Sequence, residues 1–372
     1  MQRVAESVTC NMPVDDLTKW PSDCREAKLQ EVIEEHILEP VDVATDPLFG
    51  VRLLRVEPDV HVLVIALEHV ISDAVSLTIF LRDLLTAYGQ CLLKQAFSLP
   101  RIPLQFADFA TWQRSTAESL VRRHGQYWRE RLCRCGRLRF PADMQADAEE
   151  SSGWGVAPLR IGPELRAELQ DWCARRRTTV VIGAFAAYVA LVLRWCGERE
   201  GVFRYLIDGR TNSDIENTIG FFASALYLRL ACSERDGFGD LIASITEEYC
   251  LAYEHADSGY LGAQLPRPEV SRTPAFNWIP QPGADVAARE SAGEIACSIV
   301  HFPHPLARNL ELDSEPFTLL YDVEGREVAG EVWFPRHRFS AHSMQRFASS
   351  FVFFIRMMLT DPHTRVWRVP ME

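Results

Sequence analysis

No apolar run in this chain reaches the ~18 residues that a bilayer-spanning helix needs. No basic stretch followed by an apolar one stands near its start, where Asp15, Asp16, Asp23 and Glu26 are found instead. Neither a membrane nor an export signal therefore enters the reading, and a cytoplasmic location is the expectation. Cations are also short. Against 51 Asp and Glu there are 39 Lys and Arg, a net charge of -12. That balance argues against nucleic acid as a general partner, because phosphate binding needs clustered cations to release counterions. The 10 cysteines lack useful spacing: Cys133 and Cys135, the one close pair, fit neither a zinc knuckle nor a redox dithiol. No metal is expected, and the thiols read as reduced and buried. Internal repeats and low-complexity tracts are absent too.

What is present suits a folded chain with two cores. At 372 residues and 47% hydrophobic content, two domains are the natural prior, and a break at Ser151-Ser152-Gly153 divides 1–150 from 151–372. Helical spacing of apolar residues marks 23–39, 106–133 with an interruption near Gly125, 162–176, 181–195 and 340–359. Strand-like runs occupy 51–55, 61–67, 201–207, 225–230, 317–323 and 331–334. The proline-rich stretch 265–292 reads as irregular, and the fold class is mixed α/β (α+β). Arg122-Arg123 and Arg175-Arg176-Arg177 form local basic groups. Each is either a solvated helix face or end, or a docking point for an acidic protein.

The chemistry concentrates in Glu68-His69-Val70-Ile71-Ser72-Asp73-Ala74. This polar loop follows the apolar run His61-Val62-Leu63-Val64-Ile65-Ala66-Leu67 and precedes a helical pattern carrying Val75, Leu77, Ile79, Phe80, Leu84 and Leu85. A loop between a buried strand and a helix holds its side chains at fixed angles, so His69 and Asp73 are candidate site residues. A hydrogen-bonded structural pair is the plainer alternative. Forming an amide from a thioester requires a neutral, aligned amine and a stabilised tetrahedral oxyanion. An imidazole, titrating near neutrality, can take up or hold that amine proton.

This loop resembles the HHxxxDG motif of condensation domains of nonribosomal peptide synthetases, within the chloramphenicol acetyltransferase-like superfamily. Two further segments are similar to that family: Pro103-Leu104-Gln105-Phe106-Ala107-Asp108-Phe109-Ala110-Thr111-Trp112-Gln113-Arg114, and Asp208-Gly209-Arg210 followed by Ile219-Gly220-Phe221-Phe222-Ala223-Ser224-Ala225-Leu226. The resemblance implies two acetyltransferase-like lobes arranged in a V. The chain enters the pattern late, so the first lobe is expected to be incomplete.

The same resemblance gives His69 the catalytic part, as base or as positioning group, and makes Asp73 a structural partner of Arg210. It implies no tightly bound cofactor. Acyl or aminoacyl thioesters would arrive on the phosphopantetheine arms of carrier proteins and meet an amine or hydroxyl acceptor. Three departures bear on activity. Glu68 replaces the first histidine; it could support the loop through its carboxylate, weaken His69 as a base if ionised, or be silent if protonated. Ala74 replaces a glycine, a mild change in a right-handed backbone and a disruptive one in a left-handed backbone. Ser224 replaces an asparagine and keeps a shorter hydrogen-bond donor. Phe106, Phe109, Trp112, Phe221 and Phe222 read as core or tunnel-wall aromatics. An acyltransferase is the expectation; the alternative is an inactive module of the same fold that recruits a carrier protein or a tailoring enzyme. An enzyme using free coenzyme A thioesters is a third reading.

Overall fold

The computed structural model describes residues 10–133, 138–144, 153–256, 273–281, 315–361 and 363–371. Among them the chain builds two sheets. The smaller has the order β1-β2-β3, with β1 (Val14–Asp16) parallel to β2 (Phe49–Arg55) and β2 antiparallel to β3 (His61–Leu67). Helix α1 (Arg25–Leu38) covers one face, where Leu29, Val32 and Ile33 meet Leu17, Leu54 and Val64 in a small buried cluster. From β3 the chain turns through the Glu68–Asp73 loop into α2 (Ala74–Leu92) and then α3 (Phe106–Leu132).

The larger sheet has six strands in the order β4-β9-β8-β7-β5-β6. These are β4 (Trp154–Ile161), β5 (Glu200–Ile207), β6 (Ser224–Ala231), β7 (Ala275–Gln281), β8 (Phe317–Val323) and β9 (Glu327–Pro335). Strand β7 runs parallel to both its neighbours, while the other pairings are antiparallel. Helices α4 (Pro163–Arg175), α5 (Val180–Cys196), α6 (Phe238–Tyr253) and α7 (Ala341–Thr360) complete the layer. Every residue of α5 from Ile182 to Leu193 is buried, as an all-apolar helix must be in water. It starts at a Thr179 cap and stops at Gly197, whose φ of 71° lets the chain leave the helix left-handed. Among the described residues no single helix is long and apolar enough to cross a membrane. Helices α4 and α5 qualify only as a pair bent by 103°, and α5 is packed against α6 and α7.

Several expectations are corrected here. Helix α3 is not interrupted at Gly125. Its buried His124, Trp128 and Leu132 recur at helical spacing, and that burial outweighs the ~1 kcal/mol cost of a mid-helix glycine. The end of α3, with Leu138 and Phe140, joins the core of the larger sheet. Strand β4 was hidden by Pro158, which β4 tolerates because it lies at the edge of the sheet. Strand β1, three residues long, offers too short a pattern to read. Within the stretch expected to be irregular, residues 275–281 form β7, a strand that the family resemblance places at Phe276-Asn277-Trp278; residues 265–272 and 282–292 lie outside the described part. Among the described cysteines buried thiols are the minority: Cys173 and Cys232 are buried and Cys196 half-buried, whereas Cys10, Cys24, Cys91, Cys133 and Cys250 are exposed. Arg122 forms an exposed pair with Glu118 one helical turn away, and Arg176 lies 4.0 Å over the Trp172 ring.

Candidate functional site

The loop after β3 is folded by its own backbone. Glu68 N donates to Leu48 O at 2.9 Å, which extends the sheet edge by one bond, and the Glu68 carbonyl accepts from Ile71 N and Ser72 Oγ, both at 3.1 Å. This tight turn presents His69 outward, exposed to solvent. His69 Nδ1 lies 2.7 Å from Ser72 O. A carbonyl oxygen can only accept, so Nδ1 carries the proton and donates, and in the neutral ring the lone pair is on Nε2. The imidazole also meets the Phe221 ring at 5.0 Å between centroids, with an interplanar angle of 78°.

Asp73 ends the loop and caps α2. Its extended backbone (φ -133°, ψ -177°) lets Oδ1 accept from Ser76 N at 2.8 Å. The carboxylate also meets Arg210 from the far end of β5 in a two-point contact, Nη1 to Oδ2 at 2.8 Å and Nη2 to Oδ1 at 3.0 Å. Both side chains are 3% exposed. Phe222 N and Ala223 N add bonds to Oδ2 at 3.0 and 3.2 Å. Burial alone would raise the pKa of Asp73, but the hydrogen bonds from Arg210 and Ser76 and the guanidinium charge outweigh it. The carboxyl is held below the ordinary carboxylate value. Arg210 donates further to Thr218 O and Ser76 Oγ, each at 3.1 Å, and stacks 4.5 Å over Phe222. Gly209 makes this approach possible. Its φ is 67°, and a Cβ there would lie 2.0 Å from Phe222 O.

The sequence matches the family described as "Condensation domain" over residues 1–371. The chain belongs to the condensation-domain family. It is 26% identical over 351 residues to the bassianolide nonribosomal cyclodepsipeptide synthetase of Beauveria bassiana, covering 92% of this chain and 11% of that one. The curated relatives it matches are far longer, and the chain spans between 5% and 24% of their length. SgcC5 from Streptomyces globisporus has the same fold, with a TM-score of 0.78 and 22% identity over 98% of this chain and 83% of that one. The X-domain solved in complex with OxyB from teicoplanin biosynthesis also shares it, with a TM-score of 0.73 and 19% identity over 98% and 80%.

In this condensation domain the departures from the motif take definite positions. Glu68 is half-buried, and among the described residues its carboxylate has no hydrogen-bond or ion-pair partner. The bonds that hold the turn at this residue come from its backbone amide and carbonyl. Ala74 is the first residue of α2 and is not among the left-handed positions, so the milder reading of that substitution applies. Changing Ala74→Gly is expected to cost at most about 1 kcal/mol of stability through chain entropy and to leave turnover unchanged; a urea titration beside a rate measurement checks both. Ser224 pairs with Ile207 where the β5–β6 ladder ends. Trp112 is 47% exposed, so it is not a core aromatic, and it touches Phe109 at 5.7 Å. It stands on the outward face of α3, whose inward face is taken by Phe106 and Phe109 against the buried Phe222.

Ser76 escaped the reading of the sequence. It is fully buried. Its hydroxyl lies 2.8 Å from both Asp73 Oδ1 and Gly220 O, and accepts from Gly220 N at 3.0 Å as well as from Arg210. The Asp-x-x-Ser spacing at a helix start is a capping signal that could have drawn attention to it. Further ties bind the same segment: Thr218 Oγ1 to Leu104 O and Arg82 Nη1 to Asn217 Oδ1, each 2.7 Å. Among the described residues no cluster of His, Cys, Asp or Glu could hold a metal ion.

Proposed function

We propose that this domain transfers an acyl or aminoacyl group from a carrier-bound thioester to an amine or hydroxyl, forming an amide or an ester. The observation that carries the proposal is His69, exposed at the end of a rigid strand with Nδ1 committed to Ser72 O and Nε2 left as the acceptor. The acceptor's nitrogen or oxygen attacks the thioester carbonyl carbon, and its proton passes to Nε2. As the tetrahedral intermediate collapses, the carbon–sulfur bond breaks and the thiolate takes that proton, so the ring ends neutral. One acyl group moves, one thiol is released, and no metal or redox partner is needed to balance the step. In this reading Asp73 and Arg210 hold the loop and do not touch substrate. The thioester rides on phosphopantetheine belonging to a partner carrier protein, and the reaction belongs to nonribosomal peptide or related secondary metabolism.

Incubating the protein with an acyl-loaded carrier protein and a panel of amines and alcohols tests the proposal by intact mass. The carrier should return to its free thiol while an acceptor gains the acyl mass. Because the loop is held by the Glu68 backbone, Glu68→His is expected to change kcat by less than about tenfold, ~1.4 kcal/mol in barrier. A gain of several hundredfold would instead mean that the carboxylate had disabled the site. A second reading rests on Glu68 standing where the motif has histidine: the domain recruits rather than reacts, and the X-domain of the same fold was solved in complex with OxyB. Carrier binding without turnover in wild type or Glu68→His would favour it.

A further inference from the structure

We infer that Phe221 is a positioning residue for His69, fixing the direction in which Nε2 points. The inference rests on the reading of His69 as the group that handles the acceptor's proton. A single hydrogen bond from Nδ1 anchors one atom of the ring and leaves the imidazole free to pivot about it. The Phe221 ring, 5.0 Å away and turned by 78°, restricts that pivot.

Phe221 is suited to this part because its side chain is open while its backbone is pinned. The ring is 43% exposed, whereas its neighbour Phe222 is 4% exposed. Before it, Gly220 is bound through both N and O to Ser76 Oγ. After it, Phe222 N and Ala223 N are bound to Asp73 Oδ2. Gly220 also fits tightly, since a Cβ there would come within 2.4 Å of the Phe106 ring. The residue that stands beside the imidazole is thus carried by the same two side chains, Asp73 and Ser76, that begin α2 directly after the His69 loop. The loop and the aromatic ring share one frame, and the angle between them is set by it. This exposed aromatic stands on a backbone fixed on both sides, and its ring meets the imidazole edge to face.

The test compares Phe221→Leu and Phe221→Tyr in the full chain. Leucine keeps apolar bulk but loses the flat ring, and tyrosine keeps the ring. For Phe221→Leu the expected result is a fall in kcat of at least about tenfold, since a misplacement of ~1 Å can cost a hundredfold. KM for the acceptor should stay within about twofold, so that the loss lies in the transition state, and Phe221→Tyr should recover kcat to within about threefold. A wild-type kcat in Phe221→Leu would overturn the inference, and so would a raised KM with kcat unchanged, which would make Phe221 a substrate wall. NMR of the histidine ring protons supplies a readout that needs no turnover. In wild type, His69 Hε1 or Hδ2 should carry a ring-current shift that disappears in Phe221→Leu and survives in Phe221→Tyr. If no acceptor is acylated by wild type, the proposed function falls. The NMR comparison then decides the positioning claim by itself, and unchanged His69 resonances in Phe221→Leu would overturn it.

Discussion

Replacing His69 by alanine is expected to lower acyl transfer by roughly 10²–10⁴-fold while changing stability by no more than about 0.5 kcal/mol. The two halves of this expectation come from the same geometry. His69 is exposed, and its one side-chain hydrogen bond runs to the nearby Ser72 carbonyl, which water can reach once the ring is gone. The turn is held separately, by Glu68 N on Leu48 O and by the bonds that Ile71 and Ser72 make to the Glu68 carbonyl. An imidazole that contributed to folding would have been enclosed, as His124 is between its neighbours. Steady-state rates with an acyl-carrier substrate, set beside a urea titration, measure both quantities. His69→Gln sharpens the result, because an amide can hold a hydrogen bond but cannot take up a proton at neutral pH. A rate near wild type in His69→Gln would assign the ring to alignment of the acceptor, and a rate near that of His69→Ala would assign it to proton transfer.

Arg210→Ala is expected to destabilise the protein by about 3–5 kcal/mol, the range for stranding one member of a buried ion pair. The size of the loss reflects what remains rather than what the pair is worth. Without the guanidinium, Asp73 would keep its charge at 3% side-chain exposure, with only Ser76 and two backbone amides to solvate it. Lysine is not expected to rescue the loss, because a point charge can neither span both carboxylate oxygens nor stack on Phe222. Adding Asp73→Asn to Arg210→Ala should recover part of the loss, and the four proteins form a double-mutant cycle whose coupling energy can be read from urea unfolding. The pH dependence follows from the direction of the Asp73 shift. Its folded carboxyl lies below the ordinary value, so the unfolded chain takes up a proton first as pH falls. The contribution of Asp73 to stability is therefore complete above its unfolded pKa of ~3.9 and is lost as pH drops through the folded one. Acid unfolding of wild type should show this loss, and Asp73→Asn should lack it.

What could be read in the sequence was what is encoded by neighbours along the chain. The strand His61–Leu67, the loop and the helix that follows are local patterns, and they stand where the apolar spacing put them. Helix α5 was equally plain, being apolar on every side. The misses share a different cause. Gly125 looks like a breaker until Trp128 and Leu132 are seen to be buried against another layer, and Pro158 looks incompatible with a strand until that strand proves to be an edge. Ser76 is an ordinary helix serine in sequence. Only the arrival of Gly220 and Arg210 from far along the chain makes its hydroxyl a junction. The meeting of Asp73 with Arg210 was implied by resemblance alone, because nothing in the local pattern of either residue points to the other. At Glu68 the unusual side chain is what the sequence displays, while the turn is held by the peptide groups of the same residue.

The Ser76 junction also limits how such chains can be recombined. Asp73 and Ser76 come from one side of any crossover placed between positions 77 and 209, and Arg210 and Gly220 come from the other. A hybrid assembled from two relatives at such a point inherits the network in two pieces that have never been tested together. Its fate depends less on overall similarity at the join than on whether the donor of the second piece supplies an arginine at 210, a glycine at 209 that lets the arginine approach, and a backbone at 220 that fits the serine of the first. Parent sequences differing at those four or five places would give hybrids with loosened helix starts, whatever their identity elsewhere. Parents that agree there, and at Arg82, Asn217 and Thr218, would pass the network on intact.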